Sequence, residues 1–484
     1  MRSAESTDPA LGEFREKTRA HWDRVAAQHG RGHWAARHYH RRLETQYRFA
    51  VAPGLRVIEL GCATGNLLAA VNPGYGIGVD LSPAMIERAR ERHPHLRFEV
   101  ADAAEYRSGE QFDVVIASDL VNNLFDVQRA LENARRLCRA DGRIILNFFS
   151  HLWEKPLEWA RSIGLADPLP AQNWLAPADV MNMLYLTGWD VVRTWEDFLF
   201  PFPVPIVEPL CNRFLARVWP TKILCLTNFI VARPEPAAKA LTGPEAPSVS
   251  VIIPARNEAG NVPSFFTRPP RMGSHTELII VEGHSTDDTC ATVEREMIAH
   301  PQWSAQLFRQ AGKGKADAVR LGFEKAKGDV LMILDADLTV APEDLPRFYK
   351  ALVDGRGEFI NGVRLVYPME GQAMRFLNLL GNKFFSLAFS WLLGQSIKDT
   401  LCGTKVLYRK DYEKICANRS YFGDFDPFGD FDLIFGAAKL GLKIVDMPIR
   451  YRDRTYGATN INRWRHGWLL MRMVLFAARR IKFV

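Results

Sequence analysis

A chain of 484 residues, 47% hydrophobic and 24% charged, has ordinary globular composition and the length for two or three domains, each with its own core. Its net charge of +7 sits at one end. From Arg450 onward there are nine Lys or Arg and one acid, so that segment carries +8 and the remainder −1 (7 − 8). Basicity so confined argues against a nucleic-acid-binding protein. The seven cysteines are scattered without a CxxC pair, which speaks for a reducing compartment and against a zinc site or disulfide frame. The opening MRSAESTDPALGEF lacks the apolar core of a signal peptide, and no apolar run of about 18 residues predicts a spanning helix.

Residues 233–248, RPEPAAKALTGPEAPS, are Pro-rich and without apolar period; they predict a linker between domains at 1–232 and 249–484. In the first half, residues 11–50 have helical spacing and predict a lid. Leu55–Leu60 is a strand running into the glycine turn Gly61-Cys62-Ala63-Thr64-Gly65, where Gly61 and Gly65 permit positive φ and close approach of a ligand. Further strands end in Asp80, Asp102 and Asp119, and helical segments alternate with them, as in a doubly wound α/β sheet. An acid at Asp80, 21 residues after Glu59, is placed for ribose hydroxyls.

Glu59 before the glycines, Asp80 after strand two and Asp102 after strand three resemble the class I S-adenosylmethionine-dependent methyltransferases over residues 45–232. The resemblance implies a Rossmann-like fold, with the Gly61–Gly65 loop along the methionine part, Asp80 on the ribose and Asp102 at the adenine amino group. Leu81, Ala103 and Asp119 complete the cofactor set it implies. The loop departs from the family at Ala63, where a glycine is usual, and Asn122-Asn123 stand where many relatives carry a histidine. A base is needed only for a hydroxyl acceptor, and His151 is a candidate. Cys62 reads as a packing residue rather than a nucleophile.

In the second half, Val330–Leu334 is an apolar strand ending in Asp335-Ala336-Asp337. Chance supplies about one Asp-x-Asp in a chain this long, and the others here, at 424–426 and 430–432, follow no strand-like run. Two carboxylates at the carboxyl edge of a parallel strand suit Mg²⁺ or Mn²⁺ riding on a diphosphate. Strands Val249–Ile253 and Glu277–Val281 precede it. Ser285 to Asp287 predict an N-cap for a helix at Thr289–Ile298.

PARNE (254–258), VEGHSTDDT (281–289), GKGKADAVRLGF (312–323), DADL (335–338), DTLCGTKV (399–406), GDFDL (429–433) and RDRTYGATNI (452–461) resemble, in that order, the family-2 inverting glycosyltransferases of the dolichyl-phosphate mannose synthase kind. The resemblance implies a second Rossmann-like, nucleotide-diphospho-sugar transferase fold. It implies Asp335 and Asp337 on the metal and donor diphosphate, and Pro254, Arg256, Glu258 and Glu282 along the nucleoside. Lys315, Ala336, Arg364, Lys405, Arg454 and Asn460 complete the expected substrate set. The second acid of the usual Asp-Asp pair is Gly283 here, followed by His284.

A lipid-phosphate acceptor is already an anion and needs cations rather than a base. A hydroxyl acceptor would need one, with Asp430 or Asp432 as candidates. Two stretches predict contact with an anionic membrane surface from the cytoplasmic side. Phe376–Gly394 is largely apolar, with Asn378, Asn382, Ser386 and Ser390 recurring every four residues as a polar stripe. Trp464–Val484 sets Arg465, Arg472 and Arg479 against Trp468, Met471 and Leu475. The expected activity is a fusion: sugar transfer from a nucleotide sugar to polyprenyl phosphate, and methyl transfer to a related sugar, lipid or intermediate. The alternative is a glycosyltransferase acting on a glycan hydroxyl, with the first half a non-catalytic S-adenosylmethionine-binding or scaffold module.

Overall fold

The computed structural model describes residues 9–27, 34–164, 169–170, 172–237, 240–364, 376–421, 430–449, 456 and 463–483. The chain falls into two compact units, Met1–Glu235 and Pro236–Lys482.

The first unit opens with helices α1 (Pro9–Ala27) and α2 (Trp34–Ala50). Strands β1 (Arg56–Leu60), β2 (Tyr75–Asp80), β3 (Arg97–Val100) and β4 (Phe112–Ser118) follow, interleaved with α3 (Asn66–Ala70) and α4 (Pro83–Arg92). Then come α5 (Val127–Leu137), β5 (Cys138–Phe149), α6 (Glu154–Ser162), α7 (Pro177–Leu186), β6 (Trp189–Asp197), the single turn α8 (Val207–Pro209) and β7 (Thr227–Pro234). The sheet order is β3-β2-β1-β4-β5-β7-β6. β7 runs antiparallel to both of its neighbours, so the last strand of the unit in chain order lies inside the sheet and β6 forms the edge.

The inner strands β1, β4, β5 and β7 are largely apolar where both of their faces are covered. Along β1, β4, β5 and β7, the residues Val57, Ile116, Ile145 and Val231 pack on one side with Leu68, Ile86 and Ala89 of α3 and α4. Their chain neighbours Ile58, Val115, Ile144 and Ile230 pack on the other with Leu131, Ala134 and Leu184 of α5 and α7.

The second unit holds β8 (Val249–Ala255), α9 (Val262–Thr267), β9 (Thr276–Glu282), α10 (Thr289–Ala299), β10 (Ser304–Arg309), α11 (Lys315–Lys325) and β11 (Val330–Ile333). It continues with α12 (Leu345–Val353), β12 (Phe359–Val363), α13 (Phe376–Leu393), β13 (Lys405–Tyr408), α14 (Arg409–Ala417), α15 (Asp430–Lys439), β14 (Ile444–Pro448) and α16 (Arg463–Ala477). The order is β10-β9-β8-β11-β13-β12-β14. β11 is parallel to β8 and antiparallel to β13. Both units are therefore Rossmann-like α/β layers with parallel strands at their centres, whose carboxyl edges are the places where such sheets receive ligands.

The structure bears on three of these expectations. Of the proposed linker 233–248, Arg233 and Pro234 belong to β7. Further along, Leu241 and the buried Ala246 pack on the second unit, and Pro247 O accepts from Tyr349 Oη at 2.9 Å. Apolar residues within the stretch, not its proline content, decide which part is docked. The α10 cap lies one residue beyond the expected Ser285 to Asp287: Asp288 holds the N-cap position, while Asp287 Oδ1 accepts from Thr289 N at 3.1 Å. In α13, the polar Ser386 and Ser390 face the protein, both donating to Ile397 O at 2.9 and 3.1 Å. Phe389, Leu392 and Leu393 are buried beside them, whereas Phe384, Leu387 and Trp391 are exposed.

Phe229 of β7 is fully buried and stacks on Trp195 of β6 with ring centroids 4.7 Å apart. Phe229→Ala should lower the stability of the first unit by about 3–5 kcal/mol. Calorimetry should then show one transition shifted down and the transition of the second unit unmoved.

Candidate active sites of the two units

In the first unit, β1 and β4 lie side by side at the middle of the sheet, and the loops after β1, β2 and β4 frame a cavity of about 1440 Å³. Of the residues expected to bind the cofactor, Glu59, Gly61, Asp80, Leu81, Asp102, Ala103 and Asp119 line it; Gly65 sits beneath the loop. Gly61 and Gly65 both have φ +74. A Cβ on Gly61 would meet Leu120, and one on Gly65 the ring of Phe98, so packing as well as backbone conformation demands glycine. Ala63, at the position of the usual middle glycine, is held at φ +45. Its N–H donates to Asp80 Oδ2 at 2.8 Å, while Ser82 N donates to Asp80 Oδ1 at 2.9 Å. Burial pushes the Asp80 carboxyl up, and these amides hold it back.

Five residues that nothing in the sequence marks shape the cavity and the network behind it. Arg15 of α1 donates to Asp102 Oδ2 at 2.6 Å and pairs with Glu105 at 2.8 Å. Asp23, on the same helix, accepts from Ser82 Oγ at 2.5 Å. The expected lid is thus two helices, of which α1 is tied to the edge beyond β2 and β3. Tyr39 of α2 donates to Asp119 Oδ1 at 2.8 Å, and its oxygen lies 2.8 Å from Thr227 Oγ1. Asn147 Nδ2 donates to the same Asp119 oxygen at 2.6 Å, and Tyr47 Oη to Asn147 Oδ1 at 2.8 Å.

Burial dominates Asp119 and raises its carboxyl from the usual range to about 7, against the bonds from Tyr39 and Asn147. Glu59 is raised well above its usual value, first by burial and then by nearby Asp80, with the Leu68 amide opposing. Its Oε2 is buried and meets no hydrogen-bond partner among the described residues. A ligand carrying positive charge and donors suits that oxygen. His151, the candidate base, lies in an exposed turn outside the cavity lining, whereas Asp119 lines it. Burial likewise pushes the Cys62 thiol well up, which fits a packing role.

In the second unit the motif residues converge on the edge formed by the ends of β8, β9 and β11. Asn257 N donates to Ser285 Oγ at 3.0 Å and Thr286 N to Asn257 Oδ1 at 2.8 Å, lacing together the loops after β8 and β9. Pro254 lies within β8, and Arg256 follows its end. Glu258 is buried and accepts from Asn261 Nδ2 at 2.7 Å; Glu282, at the end of β9, accepts from Ser285 N. Asn257, His284 and Leu338, each just past a strand, have φ of +56, +59 and +54. Such strained backbone collects at functional edges.

Asp335 is the centre of this edge. Lys315, the first residue of α11, donates to its Oδ1 at 2.6 Å. Burial alone would raise Asp335, but Lys315, Lys405 and Arg364 override it and hold the carboxylate below the usual range. Asp399 is held down in the same way, against its burial, chiefly by Arg364. Arg364 grips it with Nε to Oδ2 at 2.7 Å and Nη2 to Oδ1 at 2.8 Å. Lys405 is fully buried and donates to Cys402 O. Arg364 and Lys405, expected on the substrate, therefore neutralise buried carboxylates. Gly403 backs directly onto the ion pair: a Cβ there would land on Asp335 and Lys315.

Asp337 Oδ1 accepts from Thr339 Oγ1 at 2.8 Å and from its N–H at 3.2 Å. Among the described residues no group of three or more His, Cys, Asp or Glu gathers as a closed metal site. Asp335 and Asp337 offer two carboxylates, a donor set that fits Mg²⁺ or Mn²⁺ when phosphate oxygens complete the shell. Asp432, expected as a base, is buried and holds Arg419 at 2.9 Å and Arg320 at 3.4 Å, so it anchors two guanidiniums. Arg454, Asn460 and the side chain of Asp430 lie outside the described residues.

The Asp119 network yields a prediction with a definite sign. A carboxyl raised to about 7 in the folded chain holds a proton that the unfolded chain loses near pH 4. Stability from this group is full at low pH and is lost as pH rises through 7. Asp119→Asn keeps an oxygen for Tyr39 and Asn147 without the charge. It should flatten the fall between pH 4 and 7 by up to about 1.4 kcal/mol per pH unit, leaving the slope that Glu59 contributes. Denaturant titrations across that range measure it.

Comparison with known proteins places names on both units. Residues 58–144 match the family model described as Methyltransferase domain, and residues 250–416 the model described as Glycosyl transferase family 2. Glycosyltransferase AglJ of Haloferax volcanii is 27% identical over 229 residues, 47% of this chain and 71% of the relative. Polyprenol monophosphomannose synthase of Mycolicibacterium smegmatis is 27% identical over 215 residues, 44% of this chain and 80% of the relative. Among solved structures, magnesium protoporphyrin IX methyltransferase from Synechocystis aligns at TM-score 0.33 and 16% identity over 46% of this chain and 99% of that one. The chain carries two transferase domains, a methyltransferase domain in its first half and a glycosyl transferase family 2 domain in its second.

Proposed function

We propose that this is a bifunctional enzyme. The second unit moves a sugar from a nucleoside-diphosphate sugar to a polyprenyl phosphate with inversion. The first unit moves a methyl group from S-adenosylmethionine to a related sugar, lipid or glycan intermediate. The observation that carries the reading is the Lys315–Asp335 pair at the end of β11. It keeps a carboxylate ionised at the edge where a nucleotide would lie. The relatives named for polyprenol and dolichol phosphate support the acceptor class.

Asp335 and Asp337 would hold Mg²⁺ or Mn²⁺, which supplies charge neutralisation to the departing diphosphate. Lys315 adds positive charge at the same place and keeps Asp335 from taking a proton. Glu258 and Glu282, buried at the ends of neighbouring strands, are placed for the nucleoside, with Pro254 and Arg256 beside them. A phosphate acceptor attacks as an anion and asks for no base, which agrees with the paired state of Asp432.

In the first unit Glu59, Asp80 and Asp102 would hold the cofactor through its ammonium, ribose and adenine amino groups. Each oxygen of Asp80 and Asp102 that accepts an amide retains a second lone pair for a further donor. The cofactor supplies a methyl group on a sulfonium, and transfer depends chiefly on alignment. Asp119 is a cavity group able to hold or release a proton near pH 7, with Tyr39 and Asn147 fixing its orientation. Exposed Trp468 and Leu475 of α16, with Phe384 and Leu387 of α13, support attachment to the cytoplasmic leaflet. Among the described residues no helix is long and apolar enough to cross a membrane.

Asp337→Ala should abolish sugar transfer and leave methyl transfer intact. Lys315→Met, which frees Asp335 to take a proton, should lower sugar transfer by about tenfold or more and lower it further as pH falls. Both are read by mass spectrometry after incubation with nucleotide sugars, polyprenyl phosphate, Mg²⁺ or Mn²⁺ and S-adenosylmethionine. A product stable to mild acid would overturn the phosphate acceptor.

A further inference from the structure

The first unit carries an apolar surface that its own core does not use. The segment between β6 and β7, Phe198–Leu226, holds five prolines and folds as short single turns. Ile206, Trp219 and Leu224 are 82%, 72% and 58% exposed, and Phe214 and Val218 are exposed beside them in sequence. Exposed apolar residues in such number mark an interaction surface.

This surface meets the cavity. Phe202 of the segment and Trp159 of α6 are both exposed and part of the cavity lining, so they stand at its mouth. Arg24, Arg37, Arg41 and Arg92 also line the cavity and are exposed, so the mouth is cationic as well as apolar. Aromatic and aliphatic side chains beside arginines suit the headgroup layer of an anionic bilayer. A rigid protein partner seated here would close the opening through which the methyl acceptor must pass. A fluid lipid layer covers the same residues and supplies the acceptor.

The cavity itself agrees. At about 1440 Å³ it exceeds the roughly 300–1,000 Å³ of common small-molecule sites, leaving room beyond a cofactor. Leu157, Leu169, Phe198, Phe200 and Leu226 line it on the side toward the segment, where an apolar chain would be desolvated.

We propose that Phe198–Leu226, with Trp159 and the arginines of the mouth, docks the first unit on an anionic phospholipid bilayer, and that its methyl acceptor enters from that layer as a lipid. The second clause rests on the methyl-transfer reading above; the docking does not.

The test uses the full chain and phosphatidylcholine vesicles with or without phosphatidylglycerol. The double variant Ile206→Glu, Trp219→Glu should bind S-adenosylhomocysteine as the parent does. It should partition onto the anionic vesicles at least about tenfold less. Unchanged partition would overturn the proposal, because the second unit alone would then account for binding. Brominated lipids give a second reading that needs no loss of binding: they should quench the parent more than Trp219→Phe. Equal quenching overturns docking even if the double variant fails to fold. Neither readout involves methyl transfer, so docking can fail while the catalytic reading of the cavity stands.

Discussion

A carboxylate taken out of water must be paired with positive charge or must hold its proton, and both units are built around that constraint. Each places acids at the carboxyl edge of a parallel sheet, where strand ends are buried on both faces. The first unit leaves them without cations at the centre: Asp119 and Glu59 are pushed up by burial, and neutral donors from Tyr39 and Asn147 satisfy Asp119. The second surrounds them with Lys315, Arg364 and Lys405, so Asp335 and Asp399 stay ionised. The same sheet edge therefore carries opposite electrostatics. A cationic ligand would supply the charge that the first edge lacks, and the cation-rich second edge suits a diphosphate.

Much of this was legible because a buried strand that ends in an acid breaks its own pattern. Glu59-Leu60-Gly61, Val79-Asp80 and Leu334-Asp335 each show an apolar run stopping at a charge. Parallel pairing follows from runs too apolar for a sheet with one wet face. The pairing of β13 against β11 was not legible, since Lys405–Tyr408 is four residues long and its partner lies far back in the chain.

What escaped was set by distance along the chain. Tyr39 reaches Asp119 across 80 positions and Thr227 across 188. Nothing local to Tyr39 marks it, because a tyrosine at helical spacing reads as core. Lys405 and Arg364 failed for another reason. A cation near a phosphate-binding motif is as well explained by a nearby acid as by a ligand, and the burial of Asp399 with its two-pronged pairing to Arg364 decides. Gly403 reads as a loop glycine until the ion pair behind it is placed. The Phe198–Leu226 segment gave no periodic signal, since prolines break both the helical and the strand period.

Two sites of opposite character on separate sheets imply that their ligands bind independently. Calorimetric titration of a nucleoside diphosphate with Mn²⁺, into protein with and without saturating S-adenosylhomocysteine, examines this directly. Independent sites predict one equivalent of each ligand and a nucleotide Kd unchanged by the other. Mutual displacement, or nucleotide binding only in the presence of S-adenosylhomocysteine, would contradict it.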